Sequence, residues 1–175
     1  MVGFMQHLKL DFGCGLHPRD GFVTIDNRPE CNPKIVADVR GPIPLPDGCA
    51  SEILCSHVME HLLGDDYHLV MMEMHRLLEP GGTFVIHVPH PSSDCAMVQG
   101  HVHVMTPQWW RNMSNENWLC GKLIIDGITE VPDPQAVEDG MFDEKHVPVA
   151  MRRYFRNIYN ETVIHGYKPN VETQA

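Results

Sequence analysis

The chain has 175 residues, 43% of them hydrophobic and 21% charged, with a formal net charge of −10. That length supports one packed domain over residues 1–175 and not comfortably two. The acidic balance argues against nucleic acid, whose non-specific binders rely on attraction to phosphate. Arg152, Arg153 and Arg156 form the only dense basic group, and its ordinary reading is a solvated helix face. No run approaches the roughly 18 apolar residues of a membrane span. The start Met1–His7 also lacks the basic end and long apolar core of a signal peptide. Six cysteines (Cys14, Cys31, Cys49, Cys55, Cys95, Cys120) are scattered without a C-x-x-C pair, so they read as reduced thiols. A cytoplasmic enzyme without membrane contact is the expectation.

In chain order, short β-rich runs predict strands at 8–12, 22–26, 34–38, 51–55 and 83–88. The apolar side formed by Leu69, Met72, Met74, Leu77 and Leu78 predicts a helix over 66–78. Asp65 or Asp66 caps that helix and Pro80-Gly81-Gly82 ends it. Residues 89–106 read as a polar, His-rich loop. Thr106-Pro107 then starts a second helix leading through Trp109, Trp110 and Trp118. A strand over 122–130, a Pro-rich acidic loop over 131–148, a short helix near 149–156 and a last strand near 157–167 follow. Strands joined by such crossovers imply a mostly parallel sheet that binds ligands at its carboxyl edge.

Leu8-Lys-Leu-Asp-Phe-Gly-Cys-Gly15 and Phe22-Val-Thr-Ile-Asp26 carry the most information. Two adjacent parallel strands deliver a glycine loop and a carboxylate to one sheet edge. Glycine lets a ligand approach the backbone, and an acid at the next strand end accepts the two hydroxyls of a ribose. A dinucleotide site uses G-x-G-x-x-G opening a long helix. Here Pro18 holds the third glycine position, and only residues 16–21 separate Gly15 from the second strand. With no long helix to hold a phosphate, a nucleoside with a small zwitterionic tail fits better than a nucleotide.

On these residues the chain resembles the class I S-adenosylmethionine-dependent methyltransferases, of the compact type with a shortened first helix. Ile35-Val-Ala-Asp38 with Ile43–Gly48 is similar to that family's third strand and following loop. Glu52–Leu62 is similar to its fourth strand and turn, and Leu77–Pro89 to its Pro-Gly-Gly turn and fifth strand. The resemblance covers roughly residues 8–90. It implies a Rossmann-like three-layer α/β/α sandwich on a mostly parallel seven-stranded sheet whose last strand is antiparallel. It also implies S-adenosylmethionine as cofactor and S-adenosylhomocysteine as product.

By the same resemblance Asp11 binds the methionine amine, directly or through water, while Gly13, Cys14 and Gly15 lay their main chain against the cofactor. Asp26 takes the ribose and Asn27 borders the adenine. Asp38 accepts the adenine amine, with the main chain of Val39 facing a ring nitrogen. Ser56 and His57 lie near the methionine and the transferable methyl. His57 and His90 are the candidates for a base, since imidazole titrates near neutrality. His90, His101 and His103 also have the chemistry to hold a divalent metal or touch an acceptor. A solvated or loop-stabilising histidine is the simpler reading for each, and no metal ligand is assigned.

Trp109, Trp110 and Trp118 suit an aromatic pocket wall, though core packing is simpler for Trp110 and Trp118. The substrate cover must come from 89–120 and 131–148, or from a second subunit in a homo-oligomer. The chain lacks the Asn/Asp-Pro-Pro-aromatic pattern of base-amine methylation, so a small-molecule acceptor is expected. Two other readings stand beside this one. One is a non-catalytic S-adenosylmethionine-binding or partner module. The other is a zinc hydrolase built on His57-x-x-Glu60-His61, a pattern that needs a long helix to face both histidines to one metal.

Overall fold

The computed structural model describes residues 7–64, 66–115, 123–134, 138 and 159–170. Seven strands form one sheet: β1 (Leu8–Phe12), β2 (Val23–Asp26), β3 (Ile35–Val36), β4 (Ala50–Ser56), β5 (Leu78–Pro89), β6 (Ile124–Pro132) and β7 (Tyr159–Tyr167). Their spatial order is β3-β2-β1-β4-β5-β7-β6. The strands from β3 to β5 pair in parallel, and β7 runs antiparallel to both β5 and β6. This is the mostly parallel Rossmann-like sheet with an antiparallel last strand that the sequence leads one to expect.

The period of two along each strand sorts the sheet's faces. Register sets Leu10 opposite Ile53 and Val23, and Phe12 opposite Cys55 and Ile25, so these residues share one face. Phe84 and Ile86 continue it on β5 and Ile164 on β7. Two helices, α1 (Asp66–Leu77) and α2 (Pro107–Asn115), close this face. Val70, Met71, Met74 and Leu77 of α1 join Trp110 and Met113 of α2 in one cluster with the strand residues. Tyr67 of α1 meets Trp109 of α2 edge to face, with ring centroids 5.2 Å apart. Among the described residues both α-helices therefore belong to the same face. The cause is the chain itself: residues 13–22 link β1 to β2 and a 3-10 turn at Pro29–Cys31 links β2 to β3, so neither crossover holds an α-helix. On the opposite face Lys9, Thr83 and His165 are exposed.

The helix start at Thr106-Pro107 is as expected, and Thr106 caps α2 by accepting the Trp109 N–H at 3.0 Å. Trp110 is wholly buried, as core packing predicts. Trp118, Asp65, the basic group at 152–156 and the short helix near 149–156 lie outside the described residues. β6 runs on to Pro132, two residues past the expected end, because β7 continues to pair with it. β3 is shorter than expected: pairing with β2 stops after Val36. At the Pro-Gly-Gly turn Leu78 pairs with Ala50 and regular pairing resumes at Thr83. The Gly81 N–H donates to Lys168 O (2.8 Å) and the Lys168 N–H to Gly82 O (2.9 Å), which ties this turn to the end of β7.

One buried ion pair fixes the segment between β3 and β4. Glu73 on α1 accepts the Ile43 N–H at 2.8 Å and pairs with Arg76 Nη2 at 2.5 Å. Arg76 also donates to the carbonyls of Ile43 and Leu45. Burial would raise the Glu73 carboxyl, but the Arg76 guanidinium and the Ile43 N–H outweigh it and hold the group below its ordinary range.

Candidate functional site

Alternation places Asp11, Thr24 and Asp26 together on the sheet face away from the helices, because Asp11 pairs with Thr24 across the ladder. Asp11 and Asp26 are each 3% exposed. Between them the chain turns through Gly13 and Gly15, both at positive φ. A Cβ on Gly13 would lie 2.4 Å from Val58 Cγ2, so this glycine is needed to let the turn after β4 close over the loop. The Gly15 N–H donates to Asp26 Oδ2 at 2.9 Å, which locks loop and acid together. The main-chain N–H groups of Gly13 and Cys14 both donate to Ile25 O.

The pKa values of the two acids are shifted in opposite directions. Burial pushes Asp11 above the ordinary carboxylate range, opposed by the Arg19 N–H on its Oδ2 (2.9 Å) and the Arg19 charge. Burial would raise Asp26 as well, but the side chain and N–H of Arg28 and the N–H of Gly15 outweigh it and hold it low. Asp11 is thus a buried carboxyl in need of a cation, whereas Asp26 is already a stable anion.

Arg28 is a site residue that the sequence reading passed over. Its N–H and Nε donate to Asp26 Oδ1 at 2.9 and 3.2 Å. Arg40 does the same for Asp38, with N–H and Nε both 2.9 Å from Oδ1. Arg40 also reaches Asp66 at 2.7 Å. The signal was present as a repeated Asp-x-Arg at the ends of the second and third strands (Asp26-Asn27-Arg28, Asp38-Val39-Arg40). Asp38 therefore does not stand free: Arg40 takes both carboxylate oxygens and lowers its pKa.

The sites converge on two adjoining clefts. One, of about 400 Å³, is lined by Asp26, Asn27, Asp38 and Val39, with Leu62 and Leu63 opposite. The other, of about 680 Å³, is lined by Asp11, Cys14, Gly15, Leu54 and Ser56. Gly13, Arg28 and His57 line both. Every residue expected to contact the cofactor borders one of these clefts, and His90 borders neither.

His57 takes positive φ (55°) where the chain leaves β4, an uncommon state for a side-chain-bearing residue. Its Nδ1 is 3.1 Å from Glu60 Oε1 and its Nε2 3.0 Å from Glu161 Oε1. Glu161 Oε2 in turn meets His87 Nδ1 at 3.1 Å. Hydrogen bonding to Glu60, opposed by burial and reinforced by Glu161, raises the His57 pKa to about 9. At neutral pH the ring is then a cation that donates from both nitrogens. That corrects the expectation of a free base here: its lone pairs are occupied.

His90 is also committed. Its Nε2 lies 3.0 Å from Glu130 Oε1, and its Nδ1 accepts the Ser92 N–H at 3.1 Å with Ser92 Oγ 2.7 Å away. Burial lowers its pKa against the pull of Glu130, and the ring packs against Tyr159. It braces β6 against the loop after β5, away from the clefts, so the structure does not support it as the base. The His57-x-x-Glu60-His61 zinc pattern is not realised either. Met59–His61 is a 3-10 turn of three residues with His57 outside it, so the two histidines do not share a helix face.

Geometry thus defines a Rossmann-like α/β protein with an acid-glycine-acid site at the carboxyl edge of its sheet. Residues 14–86 match the model of a family described as methyltransferase domain. A SAM-dependent methyltransferase from Archaeoglobus fulgidus has a similar structure, with TM-score 0.63 and 16% identity over 93% of this chain and 86% of its own. The YcgJ protein of Bacillus subtilis gives TM-score 0.59 and 16% identity over 95% and 93%. A 1,6-didemethyltoxoflavin-N1-methyltransferase from Burkholderia thailandensis, solved with its substrate and S-adenosylhomocysteine, gives 0.60 and 14% over 94% and 72%. No curated protein sequence matches the chain. The chain has the fold of the class I S-adenosylmethionine-dependent methyltransferases, and the family match over 14–86 falls within the stretch 8–90 that carries the resemblance. No helix among the described residues is long and apolar enough to cross a membrane.

Proposed function

We propose that this protein binds S-adenosylmethionine and transfers its methyl group to a small-molecule acceptor, releasing S-adenosylhomocysteine. One observation carries the reading: two buried carboxyl groups, one pushed up by burial and one held low by Arg28 and Gly15, flank a two-glycine turn that lines two adjoining clefts. Asp26, held ionised, suits the two hydroxyls of a ribose. Asp11, destabilised by burial, gains most from a primary ammonium such as that of the methionine. Asn27, Asp38 and Val39 sit on the adenine side, where Arg40 must share Asp38 with the exocyclic amine. His57 stands where the two clefts meet and Ser56 in the larger one next to it, beside the methyl in this reading.

Transfer proceeds in line: a lone pair of the acceptor attacks the methyl carbon and the C–S bond breaks toward sulfur. The sulfonium is already activated, so the protein's main contribution is alignment. His57 acts in this scheme as a fixed cation that holds Glu60 and Glu161 in place, and the acceptor's proton leaves by another route. Calorimetric titration with S-adenosylmethionine and S-adenosylhomocysteine tests the cofactor, and label transfer across an acceptor panel tests the chemistry. Micromolar binding with turnover supports both steps. Binding without turnover on any acceptor leaves a non-catalytic cofactor module, and no binding of either nucleoside overturns the reading.

A further inference from the structure

We propose that Glu60, His61 and His101 form a binding site for a divalent transition-metal ion at the edge of the 400 Å³ cleft. Each residue presents one donor atom, and the three atoms lie within 4.8 Å of one another. Two donors are otherwise unexplained. Glu60 is 1% exposed, and its Oε2 is buried without a hydrogen-bond partner. His101 Nδ1 is buried and unpartnered as well. A polar atom left so is destabilising, the more where charge is involved. A cation satisfies a carboxylate oxygen and an imidazole lone pair together.

The surroundings are built to hold these groups. Glu60 and His61 are consecutive in the turn that follows β4, and His101 comes from the loop after β5. Val102 and His103 N–H both donate to the Glu60 carbonyl, at 2.8 and 3.2 Å, which seats that loop on the turn. His61 Nδ1 lies 3.0 Å from the Gly100 carbonyl, so Nδ1 carries the proton and Nε2 keeps the lone pair. Glu60 Oε1 is oriented by His57, leaving Oε2 for the ion. The rings of His61 and His101 meet edge to face with centroids 4.6 Å apart. Metal–nitrogen bonds of about 2 Å put tetrahedral donors about 3.3 Å apart, so the donors draw inward by an ångström or so on loading.

Two imidazoles and one carboxylate are a donor set suited to zinc and its first-row neighbours, and three protein ligands leave at least one position open. Because His61 also lines the cleft, that position lies within reach of an oxygen or nitrogen donor bound there. The site differs from the sequence pattern His57-x-x-Glu60-His61 in replacing His57 by His101, 44 residues further along. It does not depend on the proposed methyl transfer.

Chelator-stripped full-length protein dialysed against zinc, with bound metal counted, tests the assignment. His61→Ala and His101→Ala are compared with His165→Ala, a control on the exposed sheet face, and each fold is checked by circular dichroism. The expected result is one zinc per chain in the parent and the control, and affinity lower by about tenfold or more in both ligand variants. Glu60→Gln should behave like the ligand variants if it folds; the two histidine variants decide the matter if it does not. A folded parent that retains no zinc overturns the site. So does zinc held by His61→Ala and His101→Ala as tightly as by the parent.

Discussion

The carboxyl ends of β1 and β2 and those of β4 and β5, together with the adjoining end of β7, lie on one sheet edge but are built differently. At β1 and β2 the hydrogen bonds that hold the two acids are short in sequence: Gly15 to Asp26, Arg19 to Asp11, Arg28 to Asp26. At the other end His57 meets Glu161 across 104 residues, and His90 meets Glu130 across 40. The first is a cradle made by one β-turn-β unit, with anions facing a cleft. The second is a mesh of histidines and glutamates that holds separate elements together. A local cradle survives remote changes, whereas a mesh fails piecemeal.

The sharpest test of this division is Asp26→Ala set against Glu161→Gln. Loss of the ribose acceptor should weaken S-adenosylmethionine by about 100-fold, roughly 2.7 kcal/mol for charge-assisted hydrogen bonds. Glu161→Gln should leave that affinity within about threefold. Calorimetry on both variants checks the pair, and equal losses would erase the distinction between cradle and mesh.

That distinction also governs what was legible in the sequence. Asp11, Gly13, Gly15 and Asp26 could be found because a strand, a tight turn and a second strand leave a local pattern with a chemical meaning. The mostly parallel sheet followed from the same local signals and the crossover rule, and its seven strands with an antiparallel last one from the family resemblance. His57 stood out by its place at the end of the fourth strand, but its pairing with Glu161 was not legible, because that residue comes from a strand 104 residues away. His90 drew attention through residue type alone, and nothing in its neighbourhood announced Glu130 or Tyr159 as partners. Arg28 and Arg40 were missed although their spacing from the acids repeats. A basic residue near an acid is so common that only the repeat carried information.

Next in size comes the Glu73–Arg76 clamp, which belongs to neither end and so tests whether the cradle needs the core behind it. Glu73→Gln should cost about 2 kcal/mol in urea denaturation at neutral pH, since it removes the buried carboxylate and with it the closest ion pair of Arg76. The folded carboxyl lies below its ordinary 4.5. Its contribution is therefore complete above about pH 4.5 and is lost as pH falls through the folded value. The gap between parent and variant should narrow as pH falls below 4.5, and a gap that stays constant with pH would reject the ionic account. The cofactor affinity of the folded variant should match the parent, because neither Glu73 nor Arg76 lines the two clefts at the strand ends.

The smallest effect is expected at Arg28, and its sign is the informative part. Arg28 holds Asp26 Oδ1 through both its N–H and its guanidinium, yet its side chain is 56% exposed. An exposed arm of this kind contributes well under about 1 kcal/mol to stability. Its guanidinium occupies the carboxylate that the ribose needs, so binding must displace or share it. Arg28→Ala keeps the backbone N–H and the Gly15 N–H on Asp26 and removes only the competing arm. S-adenosylmethionine should then bind about two- to threefold more tightly, with stability unchanged within about 0.5 kcal/mol. A drop in affinity would mean that Arg28 contacts the cofactor directly, and the cradle would then be cationic on one side as well as anionic on the other.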